Sequence, residues 1–92
     1  MLKYEIHEEV VQIEEKPNGN DTEFHIHILE PELCLPKIRE IQTHFDENRV
    51  HTDVLFYALG DRHYQVIVRA DYYEEFVLQL MRHRLLRSVK WE

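Results

Sequence analysis

Apolar and β-branched residues are concentrated in two short segments in the second half of the chain, residues 54–57 and 64–68. Such residues suit a pleated sheet. Leu59-Gly60-Asp61-Arg62 lies between the two segments. Glycine at the first central position is typical of a two-residue type II′ turn. The pattern therefore predicts a β-hairpin with an even turn.

A different period begins after Ala70, where apolar residues recur every three or four positions. This spacing predicts an amphipathic helix over residues 71–81. Asp71 and Glu74 have the spacing of a capping box, so we expect Asp71 to begin the helix. The expected buried face consists of Tyr73, Phe76, Val77, Leu80 and Met81.

The N-terminal part alternates as strands do, but its parity changes. The apolar positions of residues 2–6 and of residues 11–13 have opposite parity, and a β-bulge at residues 8–10 would join them into one bent strand. Residues 17–21 predict a turn through their proline and glycine. Residues 22–29 alternate most regularly and predict a second strand.

A first helix is predicted from Pro36 to about Phe45, because proline suits the first turn of a helix. Asn48 is the expected left-handed end of this helix. Residues 85–91 predict a closing strand. The expected buried face of the helix consists of Leu35, Ile38, Ile41 and Phe45.

The order of these elements predicts an α+β fold. Without the first strand the order is βαββαβ, the ferredoxin-like arrangement with both helices on one face of an antiparallel sheet. We expect the extra strand, residues 2–15, to pair with residues 85–91, because the first is acidic and the second basic. The alternative is a hairpin between residues 2–15 and 22–29 through the intervening turn.

The hairpin predicts a candidate interface. With an even turn, the face away from the main core carries several apolar residues within a polar rim, which is typical of an interface. A three-residue turn would instead place Val54 and Phe56 in the core with Val66. Gly60 favours the even turn. The expected interface residues are Val54, Phe56, His63, Gln65, Ile67 and Arg69.

Composition limits the remaining possibilities. A chain of 92 residues with 43% hydrophobic content is the size of one folded domain, residues 1–92. Cys34 is the only cysteine, which excludes an internal disulfide and favours a reducing compartment. The sequence contains neither a signal-peptide pattern nor an apolar run of membrane-spanning length, so we expect a cytoplasmic protein.

The net charge is −7, and residues 1–32 carry all of this excess, with two lysines against nine acidic residues. Binding to nucleic-acid phosphates needs a surplus of lysine and arginine. Nucleic acid is therefore an unfavoured partner.

Histidines supply the main candidate chemistry. His25 and His27 share one face of a predicted strand, and His63 of the hairpin is positioned to approach them, which makes the three residues weak candidates for a metal site. The alternative is a solvated strand face. The sequence contains no nucleophile motif and no phosphate-binding glycine loop, so we predict no catalytic residues and no cofactor.

Three functional hypotheses follow. The first is a small interaction or regulatory module that forms a homodimer through its sheet face. The second is a sensor domain for a small ligand or a metal ion. The third is an enzyme, for which the sequence offers no residue to assign.

Overall fold

The computed structural model describes residues 2–47 and 54–92, which form an α+β fold with two antiparallel sheets and two α-helices. A single 3₁₀ turn at Ala70–Tyr72 precedes the second helix. Within these residues no helix combines the length and the apolar character needed to cross a membrane. The elements in chain order are β1 (Leu2–Ile6), β2 (Val11–Asn18), β3 (Asp21–Ile28), α1 (Pro31–Asp46), β4 (Val54–Ala58), β5 (His63–Val68), α2 (Tyr73–Arg82) and β6 (Leu86–Trp91).

The larger sheet has the strand order β2-β3-β5-β4, and the smaller sheet pairs β1 with β6. In the ferredoxin-like order the final strand would lie next to β3, where this protein has β2. The difference arises from the tight connection between β2 and β3, in which Asn18 pairs with Asp21. Gly19 adopts a φ of +64°, which suits the first central position of a type II′ turn.

The N-terminal segment forms two strands instead of one bent strand, so the predicted β-bulge is wrong. A turn separates β1 from β2, and in it the amides of Val10 and Val11 donate to the carbonyl oxygen of His7 at 3.1 and 3.2 Å. β1 then pairs with β6, and β2 pairs with β3. The predicted pairing with residues 85–91 is therefore confirmed for β1, and the alternative pairing with residues 22–29 is confirmed for β2.

Charge complementarity does not explain the pairing of β1 with β6. Lys3 lies directly opposite Lys90. The ion pair between Arg87 and Glu9, at 3.2 Å, joins β6 to the turn after β1. Leu2 is only 4% exposed, so burial of apolar side chains is the better explanation of this pairing.

The hairpin between β4 and β5 has a three-residue loop, so the even-turn prediction is wrong. Phe56 is the Cα partner of Val66. The Leu59 amide donates to the His63 carbonyl oxygen at 2.9 Å, which leaves residues 60–62 as the loop. Gly60 does not adopt a left-handed φ, so the loop does not use the freedom that made glycine indicate a type II′ turn.

One core unites both helices with one face of the larger sheet. The ring of Phe76 on α2 lies 4.7 Å from that of Phe24 on β3, between centroids, and 6.0 Å from that of Phe45 on α1. Phe56 on β4 completes this aromatic cluster at 6.2 Å from Phe76. The even register would have turned Phe56 away from the core.

The first helix begins at Pro31, not at Pro36 as predicted. Pro31 occupies the first turn, and the Cys34 amide donates to the Glu30 carbonyl oxygen at 2.9 Å. Pro36 lies inside the helix. The expected helix end at Asn48 lies outside the described residues. The buried positions of this helix are Cys34, Ile38, Ile41 and Phe45, so Cys34 takes the place expected for Leu35.

The second helix follows the 3₁₀ turn, and Asp71 lies within that turn. The N-cap residue of α2 is Tyr72, which makes no side-chain capping hydrogen bond, so the predicted capping box is wrong. The predicted buried face is confirmed for Phe76, Val77 and Leu80.

The stability of the domain should depend on Phe76. Its side chain is fully buried, so Phe76→Ala should lower the free energy of unfolding by about 3–5 kcal/mol through lost transfer energy and the cavity left behind. Chemical denaturation would measure this loss. Leu78→Ala on the same helix is the matched control, because Leu78 is 48% exposed and should change stability little. Equal unfolding midpoints for the two variants would contradict the observed core.

Candidate functional site

The face of the larger sheet opposite the helices is the candidate site, and we call it the outer face. Side chains alternate between the two faces of a strand, and paired residues share a face. The apolar partners on β2, β3 and β5 are buried in the core, so the intervening residues lie on the outer face. It comprises Gln12, Glu14, Lys16, Glu23, His25, His27, Leu55, Tyr57, Leu59, His63, Gln65 and Ile67.

Three histidines meet at the centre of the outer face, and we call them the histidine cluster. His27 on β3 and His63 on β5 are Cα partners, and their rings stack with centroids 4.2 Å apart. His25 is two residues from His27 on the same face, and its Nδ1 lies 2.9 Å from Nε2 of His63. At this distance the two nitrogens share one hydrogen bond.

Glu23 fixes the orientation of His25. The Nε2–H group of His25 donates to Oε2 of Glu23 at 2.5 Å. This hydrogen bond, together with a second from Gln65, holds the pKa of the Glu23 carboxyl below its ordinary value. Glu23 is therefore ionised near neutral pH. The bond keeps a hydrogen on Nε2, so neutral His25 presents the lone pair of Nδ1 to His63.

His63 titrates differently from an isolated histidine. Desolvation lowers the pKa of His63, and the neighbouring His27 and His25 lower it further, against the opposing effect of Glu14. The neutral ring is therefore favoured near pH 7. Its Nε2–H then donates to Nδ1 of His25, so a single proton lies between the two rings.

An apolar row lies beside the histidine cluster, and it consists of Leu55, Tyr57, Leu59 and Ile67. Tyr57 is 45% exposed and Leu59 is 53% exposed. Leu55 and Ile67 are half-buried Cα partners on β4 and β5. The outer face therefore has a polar half on β2 and β3 and an apolar edge on β4.

The predicted interface residues divide between the two faces of the sheet. His63, Gln65 and Ile67 lie on the outer face, and Arg69 follows β5 as an exposed residue. Val54 is only 5% exposed and lies with Phe56 on the core side, so their assignment to this surface is wrong. The odd loop reverses the parity of β4 relative to β5 and places Leu55, Tyr57 and Leu59 on the outer face in their place.

The structure brings together the three metal candidates His25, His27 and His63. Within residues 2–47 and 54–92, however, no three histidine, cysteine, aspartate or glutamate side chains are arranged to hold one metal ion. Glu23 was missed as the partner of His25. Its i, i+2 spacing from His25 on one strand face was the signal in the sequence that indicated their contact.

Two other polar clusters lie away from the outer face. The Glu15 carboxylate accepts hydrogen bonds from the hydroxyls of Tyr4 and Tyr73, and it lines a cleft of about 340 Å³ near Trp91. Desolvation, and then the bond to Glu15, raise the pKa of both tyrosines, so they remain hydrogen-bond donors near neutral pH.

The second cluster lies between the helices. It contains the pair His44 and Glu75 and the pair His83 and Glu40, each with a 3.3 Å nitrogen–oxygen distance. These contacts join α1 to α2 and are explained as links between the helices.

The titration of His63 tests the geometry of the cluster. We expect its ring protons to titrate with a midpoint below the ordinary value of 6.5 in a pH series followed by NMR. Because the folded chain binds this proton less readily than the unfolded chain, the contribution of His63 to the free energy of unfolding is complete above pH 6.5. It declines as the pH falls through the folded pKa. A midpoint above 6.5 would rule out the desolvated contact with His25 and His27.

Comparison with known proteins identifies no family for this chain. No protein-family model, no curated protein and no solved structure is detectably similar to the chain. The functional argument therefore starts from the residues of the outer face.

Proposed function

We propose that the protein is a small interaction or regulatory module without catalytic activity, and that it forms a homodimer through its outer face. The supporting observation is the apolar row, in which the large side chains of Tyr57 and Leu59 are about half exposed. Exposed apolar side chains grouped beside polar ones are typical of interaction surfaces. A second copy would remove this row from water.

The layout of the outer face favours contact between two identical surfaces. A two-fold contact places the same patch of both subunits against itself. Tyr57 is the Cα partner of Gln65, and Leu59 bonds to His63 one step along the hairpin. An axis parallel to the sheet and perpendicular to the strands would therefore place Tyr57 of one copy near Leu59 of the other. The apolar rows would then meet, with the polar residues of β5 at their rim.

We further propose that the fold is a variant of the ferredoxin-like arrangement with an added N-terminal hairpin strand. The segment from β3 to β6 has the order βαββαβ, and β3, β5 and β4 are neighbours in the sheet as that arrangement requires. For the cytoplasmic location that we also propose, the support is Cys34, a buried free thiol.

A second candidate function is a metal-ion or small-ligand sensor. The observation that favours it is the convergence of His25 Nδ1 and His63 Nε2, backed by the Glu23 carboxylate. This function is compatible with the first, because the histidine cluster and the apolar row share the outer face.

Sedimentation over a dilution series tests the homodimer. We expect the 11.3 kDa chain to dimerise reversibly without additives, and Tyr57→Lys/Leu59→Lys to shift dissociation to at least tenfold higher concentration. The matched control is Leu33→Lys/Leu78→Lys, which changes two leucines of similar exposure on the helices and should leave dissociation unchanged. A wild-type chain that is monomeric at every concentration would refute the proposal.

A further inference from the structure

His25 and His63 form a pair of nitrogen donors that approach each other from adjacent strands. Nδ1 of His25 and Nε2 of His63 lie 2.9 Å apart. One proton occupies the space between them, because two N–H groups cannot face each other at this distance. When His63 takes its other neutral tautomer, with the hydrogen on Nδ1, two lone pairs point into the same small space.

This separation is close to what one metal ion requires. Two imidazole nitrogens bound to one tetrahedral Zn²⁺ lie about 3.3 Å apart at the usual Zn–N length. The pair needs to open by roughly 0.4 Å to admit the ion. Rotation of the two side chains supplies such a movement without a change in the β3–β5 pairing.

Glu23 fixes His25 in the tautomer that can bind a metal. A carboxylate that accepts the hydrogen of one imidazole nitrogen fixes the tautomer and leaves the other nitrogen to bind a metal. Glu23 does this for His25 at 2.5 Å, and the His25 side chain is only 15% exposed. Imidazole nitrogens favour Zn²⁺, Cu²⁺ and Ni²⁺ over Mg²⁺ or Ca²⁺.

The pair supplies only half of a tetrahedral site. His27 stacks flat against His63, with an interplanar angle of 21°, so its ring lies beside the pair. Among the described residues no third histidine, cysteine or carboxylate completes a metal-binding group. Two ligand positions are therefore left for groups from outside the chain.

We propose that the outer faces of two copies bind one zinc-class divalent ion between them, through His25 Nδ1 and His63 Nε2 of each copy. This inference rests on the homodimer proposed above, because the same two-fold contact that joins the apolar rows brings the two histidine pairs together. In each copy the proton of His63 Nε2 passes to water while Nδ1 of the same ring takes one from water, so both rings bind the ion as neutral imidazoles and no proton is released overall. Four imidazole nitrogens then complete the tetrahedron.

Calorimetry and sedimentation with Zn²⁺ on chelator-treated protein test the proposal. We expect one Zn²⁺ per two chains, with dimer dissociation shifted to at least tenfold lower concentration. His25→Gln and His63→Gln should each abolish both effects. The matched control is His83→Gln, which changes a histidine between the helices and should preserve both.

Glu23→Gln separates a positioning role from a ligand role. We expect zinc affinity to fall about 10- to 100-fold while the ratio of one ion to two chains is retained. Unchanged affinity would show that Glu23 does not prepare His25 and would overturn that part of the proposal.

The remaining outcomes distinguish this inference from the homodimer itself. A wild-type dimer that binds no Zn²⁺ would overturn the bridged site and leave the proposed function intact. One Zn²⁺ per chain without an increase in mass would also overturn it. A chain that is monomeric without zinc and dimeric with it would support the bridged site while refuting a metal-independent dimer.

Discussion

The three-residue loop between β4 and β5 is the constraint on which the architecture of both sheet faces depends. A change of one residue in the pairing register moves every side chain of a strand to the opposite face. With the observed loop, Phe56 pairs with Val66 and packs near Phe76, while Tyr57 pairs with Gln65 on the outer face. The same register that builds the aromatic core therefore creates the exposed apolar row.

The pairing of β3 with β5 is the second constraint, because it assembles the histidine cluster. His27 and His63 are direct partners, and His25 is diagonal to His63, which brings their ring nitrogens to 2.9 Å. Glu23 and Gln65 then connect at the next position of the face. Polar residues that form no motif along either strand are therefore joined into one hydrogen-bonded chain across β3 and β5.

The sequence was sufficient to predict features that depend on local periodicity. The regular alternation of residues 22–29 predicted β3, and the spacing of Phe76, Val77 and Leu80 predicted the buried face of α2. The convergence of His25, His27 and His63 also followed from alternation and strand adjacency. The strand β3 and the buried face of α2 are set by the backbone period alone, whereas the convergence of the histidines also needs the pairing of β3 with β5.

The predictions were wrong where the sequence allows two similar local structures, such as two helix starts or two turn lengths. Both Pro31 and Pro36 suit a helix start, and the sequence gives no measure of which one the core selects. Gly60 suited an even turn, yet the packing of Phe56 against Phe76 requires an odd one. For the same reason Val54 and Phe56 were assigned to the candidate site in place of Leu55 and Tyr57.

The division of the N-terminal segment into β1 and β2 is another feature for which the local sequence left two options open. Its two halves had opposite parity, which a bulge or a turn explains equally well. The turn at His7 lets each half pair with a different strand, so β2 takes the sheet position that the ferredoxin-like order gives to the last strand. Local pairing through Gly19 closes a short loop at lower entropic cost than pairing with a distant strand.

Cross-strand NOEs within the hairpin test the central claim most directly, because the composition of both faces follows from its register. The Leu59–His63 hydrogen bond makes Phe56 and Val66 a non-hydrogen-bonded pair, in which the Hα atoms of antiparallel strands lie closest. The account predicts a strong Hα–Hα NOE between Phe56 and Val66, together with side-chain NOEs between His63 and both His25 and His27. Pairing of Phe56 with Gln65, as an even turn requires, would contradict the account.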